Sequence, residues 1–223
     1  MSTAPERLAS LRQQLAGRFP TVPCTTGPFD GLRANRVLPT GIPALDHATG
    51  GLPFGAVTEI VCTGPSCGGH LLLGQLLTVT RATRTRVALI DSTDSFDPAS
   101  FPEDLLAHLV WVRCANTVAA LNAADLLTRD ANLGLVVLDL RRAPLADLRR
   151  TPTNQWYRLQ RAVEPADLAL VVETPHATVP SAQLRFELAT LHTVNALDRE
   201  RSFLTAELAP KLQRQRLQAA SAG

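Results

Sequence analysis

The stretch "AVTEIVCTGPSCGGHLLLGQLLTVTR", Ala56 to Arg81, decides how the rest of the chain is read. An apolar run with β-branched residues, 56–62, reads as a buried strand, and an apolar helix follows from about His70 to Arg81. Between them lies a glycine-rich loop. Strand, glycine loop and helix together are the context of a phosphate-binding loop, in which backbone N–H groups converge on an anion at a helix N-terminus. Gly64 and Gly69 stand at the spacing of G-x-x-x-x-G-K-[ST], and Gly68 adds a third glycine. The two residues that follow are His70 and Leu71. Leucine cannot bind Mg²⁺, and histidine offers at most one charge near neutral pH.

Outward from this unit the same rhythm repeats. "RVALID" (86–91), "LVWVRC" (109–114), "LGLVVLDL" (133–140) and "DLALVVET" (167–174) read as strands, apolar on both faces. Helical patterns at "PEDLLAHL" (102–109), 117–130 and 154–163 lie between them. Near-continuous apolar strands alternating with helices indicate an α/β fold: a mostly parallel sheet with helices on both faces. "LRFELATLH" (184–192) and "SFLTAEL" (202–208) alternate apolar and polar residues and read as an antiparallel extension at the sheet edge. "PKLQRQRLQAASAG" reads as a polar helix and a loose tail. At the other end, residues 4–18 read as an amphipathic helix with Leu8, Leu11 and Leu15 on one face. A linker rich in Gly, Pro and Thr follows it. The expected organisation is residues 1–37 as N-terminal helix and linker, 38–209 as core domain and 210–223 as C-terminal tail.

Composition excludes several classes. With 223 residues, 45% of them apolar, and a net charge of +2, the chain suits a globular fold rather than a disordered one. No apolar run reaches the roughly 18 residues of a membrane span. The N-terminus mixes acid and base in a helical pattern rather than forming a signal peptide, which makes the cytoplasm the expected location and a membrane an unexpected partner. The 21 arginines face a single lysine, Lys211, far from the glycine loop. Four cysteines, Cys24, Cys62, Cys67 and Cys114, form no C-x-x-C pair. Cys62, Cys67 and His70 are close in sequence, but a second ligand pair is missing, so the two cysteines read as small apolar thiols, one on a strand and one in a loop, rather than as part of a metal site.

Ligands of open α/β sheets bind beyond the carboxyl ends of the strands. The loop falls there, as do Asp91, Asp94 and Asp97, the segment 114–116, Asp139 and the segment 174–176. Asp139 ends an apolar strand, as a Walker B carboxylate does. It equally suits a strand-end cap or a salt bridge to Arg141 or Arg142, and both readings stand at this stage. Arg141, Arg142, Arg149 and Arg150 form a modest basic patch, for single-stranded DNA or an acidic partner segment, or else a solvated loop paired with Asp139 and Asp147.

These segments resemble a known family. "LPTGIPALDHATGGLPFGAVTEI" is similar to the entry of the RecA core, where a T-G-x-x-x-L-D helix and a G-G-L-P-x-G turn lead into the first strand. "VALIDSTDSFDP" resembles the next strand with its D-x-E-x-x-x-D-P continuation, "LGLVVLDL" the Walker B strand, and "SAQLRFELATL" a later core strand. The resemblance spans Leu38 to His192. Within RecA-like proteins, the L-x-x-L-R-x-x-L helix, the decayed loop and "RLQRAVEPADLALVVETP" look most like the ImuA or SulA-like family of damage-inducible mutagenesis cassettes.

The resemblance implies a RecA-like P-loop core with degenerate Walker motifs. His70 stands in place of the Walker lysine, Leu71 of the metal hydroxyl and Thr93 of the catalytic glutamate, while the γ-phosphate-sensing glutamine falls near Thr174. It further implies a non-catalytic accessory protein in SOS translesion synthesis. The implied partners are an ImuB-like polymerase relative, an error-prone C-family polymerase, RecA and single-stranded DNA. No metal and no cofactor is expected, with ATP binding left open at Gly64, Gly68, Gly69, His70 and Asp139. The competing reading is an active P-loop ATPase with an unusual site in repair or recombination, with arginine or a partner's lysine in place of the missing lysine.

Overall fold

The computed structural model describes residues 36–216; the helix expected at 4–18 lies outside them. Seven strands form one sheet. In chain order they are β3 (Ala56–Cys62), β4 (Val87–Asp91), β5 (Leu109–Arg113), β6 (Leu135–Asp139), β7 (Ala169–Thr174), β8 (Leu184–Leu188) and β9 (Lys211–Gln215), after a short pair β1 (Val37–Leu38) and β2 (Leu52–Pro53). The order across the sheet is β5-β4-β6-β7-β3-β8-β9. All neighbours are parallel except β8 and β9, which pair antiparallel at one edge. The helices are α1 (Pro43–Thr49), α2 (Gly69–Ala82), α3 (Glu103–Leu106), α4 (Thr117–Leu127), α5 (Leu145–Arg150), α6 (Thr153–Val163) and α7 (Arg201–Ala206).

The sheet is buried on both sides because its central strands are apolar at most positions on both faces. Val87, Leu89, Leu135, Val137 and Val171 face a core that α2 fills with Leu72, Leu73, Leu76 and Leu77. Ala88, Ile90, Val136, Leu138 and Val172, the alternate residues, face a second core built by α4, α5 and α6 with Leu121, Leu148, Trp156 and Leu159. Period-two strands with no polar face require such a covering on each side.

The entry segment folds for local reasons. The Asp46 carboxylate on α1 accepts hydrogen bonds from the Thr40 N–H (2.9 Å), the Thr40 hydroxyl (2.7 Å) and the Gly41 N–H (2.9 Å). That arrangement uses the threonine, the glycine and the aspartate of "TGIPALD" together. The turn "GGLPFG" needs its glycines. Gly51 has φ +129°, and a Cβ there would lie 2.4 Å from the Leu38 carbonyl oxygen.

Three expectations are corrected at the β8–β9 edge, and a fourth ahead of β5 at the opposite one. β8 runs parallel to β3, so only β9 is antiparallel. The segment 202–208 holds helix α7 rather than a strand, with Leu204 and Leu208 turned inward. Leucines four residues apart satisfy an alternating pattern and a helical one equally. Residues 211–215, read as a polar helix, form β9. No apolar stripe marks β9, since its place comes from backbone pairing with β8. The helical pattern at 102–109 shrinks to the single turn α3.

Candidate functional site

The parallel strands aim their carboxyl ends at one edge, where the loop 63–68 meets the end of β6. The loop passes through Ser66 at φ +58° and Gly68 at φ +98°, and Gly68 is the N-cap of α2 with no side-chain cap. The first-turn N–H groups of a 14-residue helix therefore open at this point.

What lies against them is Arg141. A Cβ on Gly69 would sit 2.4 Å from Arg141 Nη1, so the guanidinium rests on the head of α2 in space that only glycine leaves free. Two carboxylates hold it there. Arg141 Nε and Nη2 donate to Asp139 Oδ1 (3.0 Å) and Oδ2 (2.5 Å), a forked pair, and its backbone N–H donates to Oδ1 as well (3.0 Å). Nε also lies 3.0 Å from Glu173 Oε2 on the neighbouring strand β7. The Arg141 side chain is 13% exposed, Asp139 3% and Glu173 1%. Asp139, for which two readings stood, thus pairs with Arg141. Arg141 in turn leaves the expected basic patch: it is buried and paired.

Glu173 completes the cluster and was missed in the sequence. Its signal was an acid inside a strand otherwise apolar throughout. Burial pushes its carboxyl up to about 8, against the opposing pull of Arg141 and with the help of Asp139. Burial thus favours the protonated form of Glu173, while Asp139 forks onto the Arg141 guanidinium, so the arginine is already engaged by the chain's own acids rather than free for a phosphate.

His70 does not supply a free cation either. Its ring stacks near Phe101, with centroids 6.5 Å apart. Desolvation first, and then the Arg141 charge, lowers its pKa. Cys67 in the loop is buried, 3% exposed, in the same core cluster as Cys62 at the end of β3. Leu191 and Leu208 close over the loop: a Cβ on Gly64 would meet Leu191 at 3.1 Å, and one on Gly68 would meet Leu208 at 2.4 Å.

The other expected positions are structural. Asp91 is fully buried and accepts N–H groups of Thr93, Ser95 and Phe96, which shapes the turn after β4. Thr93 is exposed, and Asp94 pairs with Arg113 (2.5 Å) at the surface. Asp97 caps the turn 98–100. Thr174 is buried and donates to Glu59 Oε1 (3.0 Å). Glu59 is a second acid inside an apolar strand. It also accepts the N–H groups of Thr178 and Val179 and pairs with Arg185 (2.5 Å), which pins the loop 175–182 to β3 and β8. Arg142, Arg149 and Arg150 are exposed, and among the described residues none of the three has an ion-pair partner.

Among the described residues no group of three or more His, Cys, Asp or Glu side chains is arranged to hold a metal ion, and no helix is long and apolar enough to cross a membrane. No protein-family model matches the chain, and no curated protein is similar to it.

Proposed function

We propose that this chain is a RecA-like accessory protein of the ImuA type, without ATPase activity, acting in damage-induced translesion synthesis. It would bind polymerase-complex partners, an ImuB-like polymerase relative and an error-prone C-family polymerase among them, with RecA and single-stranded DNA as further partners in the cytoplasm. The observation that carries the non-catalytic reading is the Asp139–Arg141–Glu173 cluster sealed against Gly69. Phosphoryl transfer depends almost wholly on positioned charge. Here the cation next to the loop is engaged by Asp139 and Glu173, and Leu71 and Thr93 stand where a metal hydroxyl and a catalytic acid would be needed. A site so altered cannot supply the ~8 kcal/mol or more by which enzymes lower barriers. Support for the RecA-like reading comes from the α/β sheet, from the hydrogen bonds of Thr40 and Gly41 to Asp46 in the entry motif and from the loop that joins β3 to α2.

One observation favours the competing ATPase: an arginine does sit at the loop. Its ion pairs would have to break before it met a phosphate, at the cost of leaving Asp139 buried without a partner.

The partner half of the proposal is tested by purifying the tagged full chain from DNA-damaged cells. Recovery of Y-family and C-family polymerase subunits supports it. Recovery of neither, with the tagged chain itself abundant, contradicts it.

A further inference from the structure

The two edges of the sheet are unlike. β9 closes one of them with "KLQRQ", mostly polar and exposed. The other edge is β5, "LVWVR", and no further strand lies outside it among the described residues. Lysine and other charges on an outer strand discourage pairing with a second chain. β9 carries such charges. β5 carries one, Arg113, which is already engaged: it pairs with Asp94 and lies over the Trp111 ring, 5.1 Å from the centroid. Val110, next to Trp111, stands 48% exposed.

The pairing with β4 fixes which backbone groups of β5 are open. The Val87 N–H donates to the His108 carbonyl, and the Cys114 N–H donates to the Asp91 carbonyl. With Val87 opposite Leu109 and Asp91 opposite Arg113, the parallel ladder turns the N–H and C=O groups of Val110 and Val112 toward β4. Those of Leu109, Trp111 and Arg113 point away from the sheet, spaced as a further strand requires. The edge is also preformed. Trp111 packs edge-on against Phe96 with centroids 5.3 Å apart, and Val112 packs on the core under α4. A strand that docks here meets groups already in place, which keeps the ordering cost of binding low.

We propose that the docking strand is β5 of a second copy of this chain, antiparallel and in register about Trp111, so that two seven-stranded sheets join into one. The open groups are symmetric about Trp111. Trp111 of one copy exchanges both hydrogen bonds with Trp111 of the other, and each Leu109 does the same with the opposing Arg113, which leaves none of these residues unpaired. On the face that α4 covers, Val110 meets Val112 of the second copy, a β-branched pair of the kind that stabilises sheets. Charge agrees with this direction. Arg113 falls beside Leu109 of the second copy and toward its Glu103 and Asp104, exposed acids of α3 ahead of β5. In-register parallel pairing would instead set Arg113 beside Arg113, a like-charge contact. The dyad stands perpendicular to the sheet, so the two glycine loops open at opposite edges of the joined sheet. The pairing does not depend on what those loops bind.

The test uses the full chain. Sedimentation equilibrium over a dilution series should give twice the 24.0 kDa of one chain at the concentrated end. Hydrogen exchange followed by NMR at that concentration should be slow at the Leu109, Trp111 and Arg113 amides. Val110→Lys sets an ammonium group against Val112 of the second copy. It should sediment as a single chain, with those amides exchanging at least about tenfold faster. Val110→Thr keeps the branched shape and should stay paired. The mass and the exchange of the unaltered chain do not depend on either variant folding. A single-chain mass throughout the series overturns the proposal, and slow amides in such a monomer would assign the edge to another segment of the chain itself. A double mass with the three amides exchanging fast, or a double mass kept in folded Val110→Lys, overturns it as well, because another surface would then hold the copies together.

Discussion

At the scale of single residues, Arg141 is where the glycine-rich loop and the sheet meet. A buried ion pair adds little net stability, but removing one partner leaves a buried charge uncompensated. Arg141→Ala should therefore lower unfolding stability in urea by about 3–5 kcal/mol, with part of the loss recovered in Arg141→Ala combined with Asp139→Asn. Equal stability of Arg141→Ala and the unaltered chain would mean that the cluster is not held as described. Glu173 makes a prediction in pH. Its unfolded carboxyl ionises near 4.5 and its folded one near 8. Between these values the native state holds a proton that the unfolded state has released, so this group's contribution is full below about 4.5 and is lost as pH rises toward 8. Thermal melts of Glu173→Gln should show a flatter decline across that window, with the variant's advantage greatest above pH 8. A constant difference at all pH values would contradict the raised pKa. The Asp139–Arg141 pair was one of the readings that the sequence left open, whereas the place of Glu173 beside it was not legible, because no local pattern encodes that β7 lies next to β6.

At the scale of elements, β9 carries the clearest expectation. It covers the outer edge of β8, whose Leu184, Phe186 and Leu188 are buried. Truncation after Pro210 would leave β8 as an open, apolar edge strand, a known route to self-association. Light scattering should show higher-order species in the truncated chain and a monodisperse unaltered one. A truncated chain as well behaved as its parent would assign β9 no protective role. The central strands β3, β4, β6 and β7 were legible in the sequence because burial on both faces leaves a near-continuous apolar run, and α2 because its leucines recur at helical spacing. β9 and α7 were not. A polar edge strand is held by backbone hydrogen bonds that any sequence can make, and Leu204 and Leu208 fit either period. Glu59 and Glu173 were visible as acids in apolar runs, and the physics should have marked them, since such acids persist only with partners.

At the scale of the whole molecule, the strand carboxyl ends gather a loop, an ion-pair cluster and the exposed Arg142, Arg149 and Arg150. With Arg141 withdrawn, these three are what remains of the basic patch. Their combined replacement by alanine should weaken single-stranded DNA binding and make it less sensitive to salt, the slope falling by about one for each phosphate no longer neutralised. If the unaltered chain binds no DNA at low salt, the arginines face a protein partner or solvent. The loop's position was legible from glycine spacing, whereas its filling was not, because Arg141, Leu191 and Leu208 reach it from distant parts of the chain. The central claim, that the loop is closed by the protein's own side chains and turns over no nucleotide, is tested most directly by incubating the purified full chain with Mg-ATP and measuring released phosphate. The account predicts no release above buffer. Turnover that vanishes in Arg141→Ala, with that variant still folded, would contradict it.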